Sequence, residues 1–301
     1  LPSSPDKVFS KARFAPTGEK IYLTQEQRSA NIQETRLYGQ TQDITQNAQL
    51  NFGASYSPKG SDIVYGSVRN NELHLWRAAK SPEQDPKQNP EQGQEQQLTK
   101  APLPEKLGPI KWSANGEALF FNAGNGLYQF NFHNSTTLLL HQSSDKVEAV
   151  GLLENRHQLL FLKAQGEIKN LWALDLNSHQ EKQITFGSLA GVLAANNVVY
   201  LQYLNEPGLW EIDALETSPV NINPDFPANN KLLAVDEGNL YYLSGGNCRE
   251  SDVLQINLKT REIKTALHRT STLTNSTAFH PARGVLQTGC YIPEANLVVV
   301  E

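Results

Sequence analysis

The sequence contains no methionine in 301 residues, and it opens Leu1-Pro-Ser-Ser-Pro5. We therefore expect either a processed piece of a longer protein or a sequence from which the methionines are missing as written. It has no apolar run of about eighteen residues, which a membrane helix requires. It also has no charged start followed by an apolar stretch, which a secretory signal requires. The polar, proline-rich residues 1–6 predict a linker that leaves an upstream segment.

Helical periodicity is also lacking, because no stretch of about a dozen residues repeats apolar side chains at i, i+3, i+4 and i+7. Strand-sized apolar runs bounded by Gly, Pro, Asn and Asp take their place, which predicts an all-β protein. The net charge is −5 and the isoelectric point is about 5.9. Such a charge balance argues against nucleic-acid binding through this chain.

The common signatures of catalysis are missing. There is no Gly-x-Ser-x-Gly nucleophile elbow, no phosphate-binding loop and no pair of His residues at metal-ligand spacing. The strands expected to be innermost carry no cluster of His, Asp or Glu, and each of the seven His residues is expected on the surface or in a loop. We therefore predict a protein that is not an enzyme and that holds no cofactor and no metal.

A repeat runs along the whole chain instead. An apolar strand, a turn and a second apolar strand occupy residues 14–23, 56–65 and 112–121, and four weaker copies begin near Leu152, Val192, Ala234 and Phe279. A period of about 40–45 residues built from four short strands is typical of a propeller blade. We predict a β-propeller of antiparallel four-stranded blades, with seven blades and with six or eight as alternatives.

The third strand of most copies opens on Leu followed by an aromatic or apolar residue. Because a blade must bury both faces against its neighbours, we expect the leucines of this position to be buried, namely Leu37, Leu127, Leu171 and Leu209. Asp175, Asp213 and Asn257 recur two residues before the end of this strand, which predicts a hydrogen bond to the following turn.

The repeat assigns residues 7–301 to a single propeller domain. Residues 80–97 interrupt it with a low-complexity run of Gln, Pro, Glu and Lys, which predicts a solvated loop insertion or, alternatively, a partner-binding loop. The last copy ends at Glu301 on its third strand. Closure therefore needs a strand from residues 1–6, a three-stranded last blade, or a chain that was cut short.

Two cysteines, Cys248 and Cys290, each follow a Gly or Asn after an apolar strand in the last two copies. Aligned on the repeat, they occupy equivalent loops of neighbouring blades, where a disulfide is geometrically plausible. A disulfide would suit an oxidising compartment. Two unpaired thiols in a cytosolic protein are the alternative.

The turns Ala-Pro-Thr-Gly at 15–18, Ser-Pro-Lys-Gly at 57–60 and Ser-Ala-Asn-Gly at 113–116 resemble the Ser-Pro-Asp-Gly turn of TolB-type propeller repeats. The Ile/Leu-Thr endings at 44–45, 98–99 and 184–185 fit the same pattern. A lone propeller with a linker-like start and two late cysteines is also similar to the periplasmic part of CadC/ToxR-type one-pass transcriptional regulators. That resemblance implies a sensor outside the cytoplasm, joined through an upstream segment to the inner membrane and a DNA-binding domain.

Together these resemblances predict a non-catalytic extracytoplasmic sensor or interaction propeller. The alternatives are a free periplasmic TolB-like interaction module and a lyase or lactonase-like hydrolase that uses the central channel. The expected ligand is a protein partner or a small anionic signal. The loops between the second and third strands of the blades carry Arg28, Arg69 and Arg249, with Lys163 and Lys169 beside them, so a positive ring at one mouth is the expected contact surface.

Overall fold

The structure is a computed structural model. It describes residues 7–14, 21–27, 30–37, 41–45, 50–79, 95–104, 106–213, 218–243, 252–268, 277–288 and 294–300. The side chains of residues 7–14, 22–27, 79, 277, 287–288 and 294–300 are not described. Among the described residues no helix is long and apolar enough to cross a membrane.

Twenty-seven strands and one short 3-10 helix make up the described chain. The first four strands are β1 (Lys7–Phe14), β2 (Ile21–Gln27), β3 (Ile32–Arg36) and β4 (Thr41–Asp43). Blade 1 follows with β5 (Leu50–Tyr56), β6 (Asp62–Arg69), β7 (Glu72–Ala79) and β8 (Glu95–Gln97). Blade 2 consists of β9 (Leu107–Trp112), β10 (Ala118–Ala123), β11 (Gly126–Asn131) and β12 (Thr136–Gln142).

The remaining blades continue in chain order. Blade 3 consists of β13 (Lys146–Leu153), β14 (Gln158–Gln165), β15 (Ile168–Asp175) and β16 (Glu181–Gln183), with the 3-10 helix Glu154–Arg156 between its first two strands. Blade 4 consists of β17 (Leu189–Ala195), β18 (Val198–Tyr203), β19 (Leu209–Ile212) and β20 (Val220–Asn223). Blade 5 consists of β21 (Lys231–Asp236), β22 (Asn239–Leu243), β23 (Val253–Asn257) and β24 (Ile263–Leu267). The last strands are β25 (Thr277–His280), β26 (Gly284–Thr288) and β27 (Glu294–Val300).

The described strands form six propeller blades, so the expectation of seven is wrong. Blade 6 is built from both ends of the chain, in the order β25-β26-β3-β4. The first strand–turn–strand copy, β1 and β2, does not begin a blade, because β2 pairs with β27 in a separate three-stranded sheet. The repeat identifies hairpins correctly, but it cannot show that β3 pairs with β26 across most of the chain length.

The innermost strands close a ring in the described structure. Contacts run from β5 to β9, β13, β17, β21 and β25 and back to β5. A separate apolar cluster lies between each pair of adjacent blades; between blades 3 and 4, for example, Leu160, Leu171, Val199 and Leu201 are fully buried. Each blade is thus covered on both faces, as the repeat requires.

The buried leucine position is confirmed for Leu127, Leu171 and Leu209, whose exposure is 0%. Leu37 is only half-buried, because it lies one residue beyond the end of β3. In blade 6 the equivalent position is Ile32, whose backbone N–H donates to Thr45 Oγ1 at 2.8 Å. The N–H of Leu171 donates to Thr185 Oγ1 in the same way at 3.0 Å.

The Ile/Leu-Thr endings therefore have a structural role. Thr45, Thr99 and Thr185 are buried, and each hydroxyl accepts a hydrogen bond from the third strand of its blade. A buried N–H that loses its acceptor is costly. The recurring Thr thus fastens the end of the short outermost strand to the rest of the blade.

The repeat also predicts that Asp175, Asp213 and Asn257, two residues before the end of the third strand, bond the following turn; Asp175 and Asn257 are instead the last residues of β15 and β23. Asp175 Oδ1 accepts hydrogen bonds from the N–H groups of Asn177 and Ser178, at 3.0 and 2.8 Å, which confirms its predicted role. These bonds lower the pKa of Asp175 below its ordinary value, the bond from Ser178 N–H having the largest effect. Asn257 bonds its turn equivalently.

Candidate functional site

The two faces of the propeller differ in what they carry. In each blade we number the strands from the channel outward. Face 1 carries the turns between first and second strands, such as Ser57–Ser61. Face 2 carries the loops between second and third strands and the connections from one blade to the next. In the Ser57 turn the seryl Oγ accepts from Asp62 N–H at 3.0 Å, and Gly60 adopts a φ of +69°, which suits glycine.

A central channel of about 1240 Å³ lies inside the ring of first strands. Its wall is mostly apolar or small, with Gly53, Ala54, Gly151, Gly191 and Ala194 among the lining residues. A Cβ added at Gly151 would lie 3.1 Å from the Cβ of Ala194 on the next first strand. Glycine here thus lets adjacent first strands approach closely while the lumen stays open.

Two half-buried charged residues on first strands interrupt this wall. Lys111 lies on β9 and Glu148 on β13, the first strands of adjacent blades, and both line the channel. Desolvation lowers the pKa of the Lys111 ammonium from its ordinary value, and the charge of Glu148 partly opposes this effect. Part of each side chain remains accessible from the lumen.

Face 2 presents an apolar patch on blades 3 and 4. The patch consists of Ile168, Phe186 and Leu204, with exposures of 53%, 86% and 45%. Phe186 lies in the connection from β16 to β17, Ile168 opens β15, and Leu204 follows β18. Large apolar side chains gathered at such exposure are typical of an interaction site.

Hydrogen bonds fix the loops that carry this patch. Ser188 Oγ donates to Glu167 O at 3.3 Å and accepts from Lys169 N–H at 3.4 Å. Leu204 N–H donates to Ser188 O at 2.9 Å. The three loops are therefore joined into one ordered surface rather than three independent tips.

The same surface extends to blade 5. Asn205 N–H donates to Asn229 Oδ1, and Asn229 Nδ2 donates to Asn205 Oδ1, each at 3.2 Å. Beside these residues lies a concavity of about 470 Å³, lined by Glu167, Lys169, Ser188, Leu189, Ala190, Leu204, Asn205 and Asn229. The patch thus borders a cleft of mixed polarity that could hold a side chain of a partner.

The predicted positive ring is only partly described. Arg28 and Arg249 lie outside the described residues, as do Cys248 and Cys290. Arg69 is described, and its guanidinium stacks 3.5 Å from the Trp76 ring centroid while Nη2 donates to Glu95 Oε2 at 2.7 Å. This arginine therefore has a counter-ion on its own blade.

The two lysines named beside the ring differ from each other. The Nζ of Lys163 donates to Glu181 Oε2 at 2.9 Å and lies 4.5 Å from the Trp172 ring centroid. Lys169 is exposed and lines both the cleft and the channel. Of the two, only Lys169 belongs to the surface around the apolar patch.

The position of His74 differs from the expectation that each His lies on the surface or in a loop. His74 is buried on β7 with an exposure of 4%, and its Nδ1 lies 3.0 Å from Thr99 O. Its neighbour across the strand pair is Ser67, so it belongs to the blade interior and not to a loop. In the described part of the chain no group of three His, Cys, Asp or Glu residues could hold a metal ion.

Sequence reasoning missed the apolar patch and the channel charges. Phe186 follows the Ile-Thr ending of β16 and precedes Gly187, a place where the repeat expects a polar loop. Lys111 and Glu148 each interrupt an apolar first strand. A charge inside an otherwise apolar run is visible in the sequence, but the other members of each group come from different blades.

Comparison with known proteins supports the fold. No protein-family model matches the sequence. A putative TolB from Agrobacterium tumefaciens is similar in structure, with a TM-score of 0.65, 13% identity, and coverage of 89% of this chain and 99% of that one. TolB from Acinetobacter baumannii has a TM-score of 0.57 at 12% identity, with coverage of 81% of this chain and 64% of that chain.

A different protein shares the architecture. An oligogalacturonate lyase in complex with manganese has a TM-score of 0.50 at 12% identity, with coverage of 91% of this chain and 76% of that one. Identities this low show a TolB-like propeller fold and nothing about activity. The function must therefore be argued from the site.

Proposed function

We propose that this chain is a non-catalytic, extracytoplasmic interaction propeller that binds a protein partner through face 2. The observation that carries the proposal is the apolar patch of Ile168, Phe186 and Leu204 on loops that hydrogen bonds hold together. A pre-ordered surface loses little conformational entropy on binding, so its exposed aromatic side chain can contribute most of its buried area to affinity.

The surroundings of the patch suit a protein rather than a small molecule. The cleft beside it is open, and polar residues such as Glu167, Lys169 and Ser188 line it together with Leu189, Ala190 and Leu204. A polar rim around an apolar centre is the usual anatomy of a protein interface. Arg28, Arg69 and Arg249 remain candidates for an outer, charged part of the same contact, and the resemblance to TolB-type repeats supports a location outside the cytoplasm.

The finer proposal is a sensor role in a one-pass regulator of the CadC/ToxR type. In that arrangement a partner bound on face 2 would be the signal, and an upstream membrane segment would transmit it. The support is the similarity of a lone propeller with two late cysteines, Cys248 and Cys290, to the periplasmic part of such regulators. The free periplasmic module would use the same surface, so both roles share the binding experiment.

Site-specific photocrosslinking tests the proposal. A benzoylphenylalanine replaces Phe186 in the full-length protein in its own cells, and Leu138, exposed on the outer strand β12, serves as the matched control position. We expect one adduct of defined mass at Phe186, its loss with Ile168→Asp, and none at Leu138. Adducts of equal yield at both positions would contradict a specific surface on face 2.

An assay of the purified chain with oligogalacturonate, lactone and peptide substrates addresses the alternative enzyme. That alternative relies on the channel, because a propeller enzyme would place its reacting groups on the first strands. We expect no turnover. Turnover that Glu148→Gln abolishes would replace the interaction proposal by the enzyme.

A further inference from the structure

The charges in the channel are separate from the patch on face 2. Of the other charged residues that line the channel, Glu154, Lys169 and Lys231 are exposed, and His280 is the last residue of β25. Among the described lining residues of the first strands, Lys111 and Glu148 are the half-buried Lys and Glu. The channel wall therefore holds one half-buried cation and one half-buried anion on adjacent first strands.

Among the described residues, the side chains of Lys111 and Glu148 form no ion pair with each other or with a neighbour. Lys111 and Glu148 interact electrostatically but lie too far apart for a direct ion pair, and within the described residues neither side chain forms a hydrogen bond or a salt bridge. Charged groups removed from bulk water are costly unless they are paired. An ordinary structural ion pair would have brought the two groups into contact.

The combination of charges selects a class of ligand. A simple anion would pair with Lys111 but would be repelled by Glu148, and a simple cation would meet the opposite problem. A molecule that carries both charges satisfies both residues and adds no net charge to the channel. The small residues of the wall, such as Gly53 and Gly191, leave a volume of about 1240 Å³ for its uncharged part.

We propose that the channel binds a small zwitterion, an amino acid in the broad sense, whose carboxylate pairs with Lys111 and whose ammonium pairs with Glu148. The bound ligand would bridge blades 2 and 3 at their first strands. Because this site is distinct from face 2, its failure would leave the interaction proposal intact.

Isothermal titration calorimetry of the chain with a ladder of linear ω-amino acids tests the site. The ladder runs from glycine through β-alanine, γ-aminobutyrate and δ-aminovalerate to ε-aminocaproate, with butyrate and butylamine as single-charge controls. We expect one chain length to bind best, and both controls to bind at least about tenfold more weakly, since each loses one charge-assisted contact.

Variants assign the binding to the two residues. Lys111→Met and Glu148→Gln should each weaken the best zwitterion about tenfold or more, whereas the matched surface variants Lys146→Gln and Glu117→Gln should leave it unchanged. The double variant Lys111→Glu with Glu148→Lys reverses the pair and should recover binding, which separates loss of the site from loss of the fold. Absence of binding across the ladder at millimolar concentration, equal binding of the single-charge controls, or binding that survives Lys111→Met would overturn the proposal.

Discussion

Blade 3 and blade 6 solve the same packing problem with different chemistry. Blade 3 is one continuous segment, and its third strand carries Ala173, which is 2% exposed. Blade 6 joins the two ends of the chain, and at the equivalent place in β3 it carries Glu34, which is 0% exposed. Ala173 pairs with Leu160 and Glu34 pairs with Leu286, so the two backbones are in the same register.

The buried carboxylate of blade 6 is fully engaged. Glu34 Oε1 accepts from Arg283 Nη2 at 3.0 Å and from Tyr56 Oη at 2.9 Å, and Oε2 accepts from Gln42 Nε2 at 2.7 Å. These partners come from the turn of blade 6, from blade 1 and from β4. The network therefore links both chain ends to the neighbouring blade.

The difference suggests what a closing blade needs. Within blade 3 short turns bring the strands together, so apolar burial is sufficient and the partner of each strand is fixed by the chain. In blade 6 the strands β26 and β3 must find each other from opposite ends, and apolar side chains alone specify a partner poorly. Directional hydrogen bonds to a buried charge can fix that pairing.

The largest effect on stability is expected when this network is removed. Glu34→Ala should lower the free energy of unfolding by about 3–5 kcal/mol, because the half-buried Arg283, the Tyr56 hydroxyl and Gln42 would all lose their acceptor. Equilibrium denaturation with guanidinium measures the change. The exposed Glu262→Ala provides the control and should alter stability by less than about 0.5 kcal/mol. An effect of Glu34→Ala equally small would mean that blade 6 closes by apolar contact, as blade 3 packs.

The predicted disulfide would reinforce the same junction. The strands β22 and β26, which precede Cys248 and Cys290, are the second strands of the adjacent blades 5 and 6. A disulfide between Cys248 and Cys290 would close a loop of about forty residues and would contribute roughly 3–4 kcal/mol to the free energy of unfolding. We expect the unreduced protein to have the mass of two fewer hydrogens and to unfold earlier after reduction. Two thiols that titrate freely in protein isolated from its own compartment would disprove the pairing.

The contrast also explains what the sequence could predict. Hairpins such as β9–β10 follow from local patterns of alternation and turn residues, and they were predicted correctly. The number of blades depends on the pairing of β3 with β26, which no local pattern encodes. Leu37 fitted the Leu-aromatic pattern, yet Ile32 takes that place because Thr45 follows at the right distance to accept its N–H.

The candidate site was harder to predict for the same reason. In the sequence, none of Phe186, Ile168 and Leu204 is unusual by itself. Only the packing of blades 3 and 4 places them on one surface. Arg69 was predicted as part of a charged mouth, but a positive residue in a sequence does not reveal that Trp76 and Glu95 hold its guanidinium. Surface chemistry depends on partners that are distant in the chain.

A smaller effect on stability is expected at the buried Thr that blades 3 and 6 have in common. Thr45→Val in blade 6 and Thr185→Val in blade 3 each leave the buried N–H of Ile32 or Leu171 without its side-chain acceptor. Each should cost about 1–3 kcal/mol. Thermal and chemical denaturation of the two variants would show whether the blades tolerate the loss equally. A cost confined to Thr45 would mean that only the closing blade depends on its outermost strand.

The smallest effect at neutral pH concerns Tyr56 at the interface of blades 6 and 1; the equivalent interface, between blades 3 and 4, is packed with apolar side chains. Burial, followed by the charge of Glu34, raises the pKa of Tyr56 above its ordinary value of 10.0. The stability that Tyr56 contributes is therefore fully present below about pH 10. It is lost as the pH rises further, because the unfolded chain releases the phenolic proton and the folded chain keeps it.

Tyr56→Phe should lower the free energy of unfolding by about 1 kcal/mol at pH 7, because a hydrogen bond is lost. Above pH 10 it should make unfolding less sensitive to pH by about 1.4 kcal/mol for each pH unit. Tyr65, also with a raised pKa, remains in both proteins and keeps some alkaline sensitivity in the variant. Denaturation midpoints between pH 7 and 11.5 measure both effects. Identical alkaline slopes for the two proteins would mean that Tyr56 ionises as easily in the folded state as in the unfolded chain, and that Glu34 does not hold it neutral.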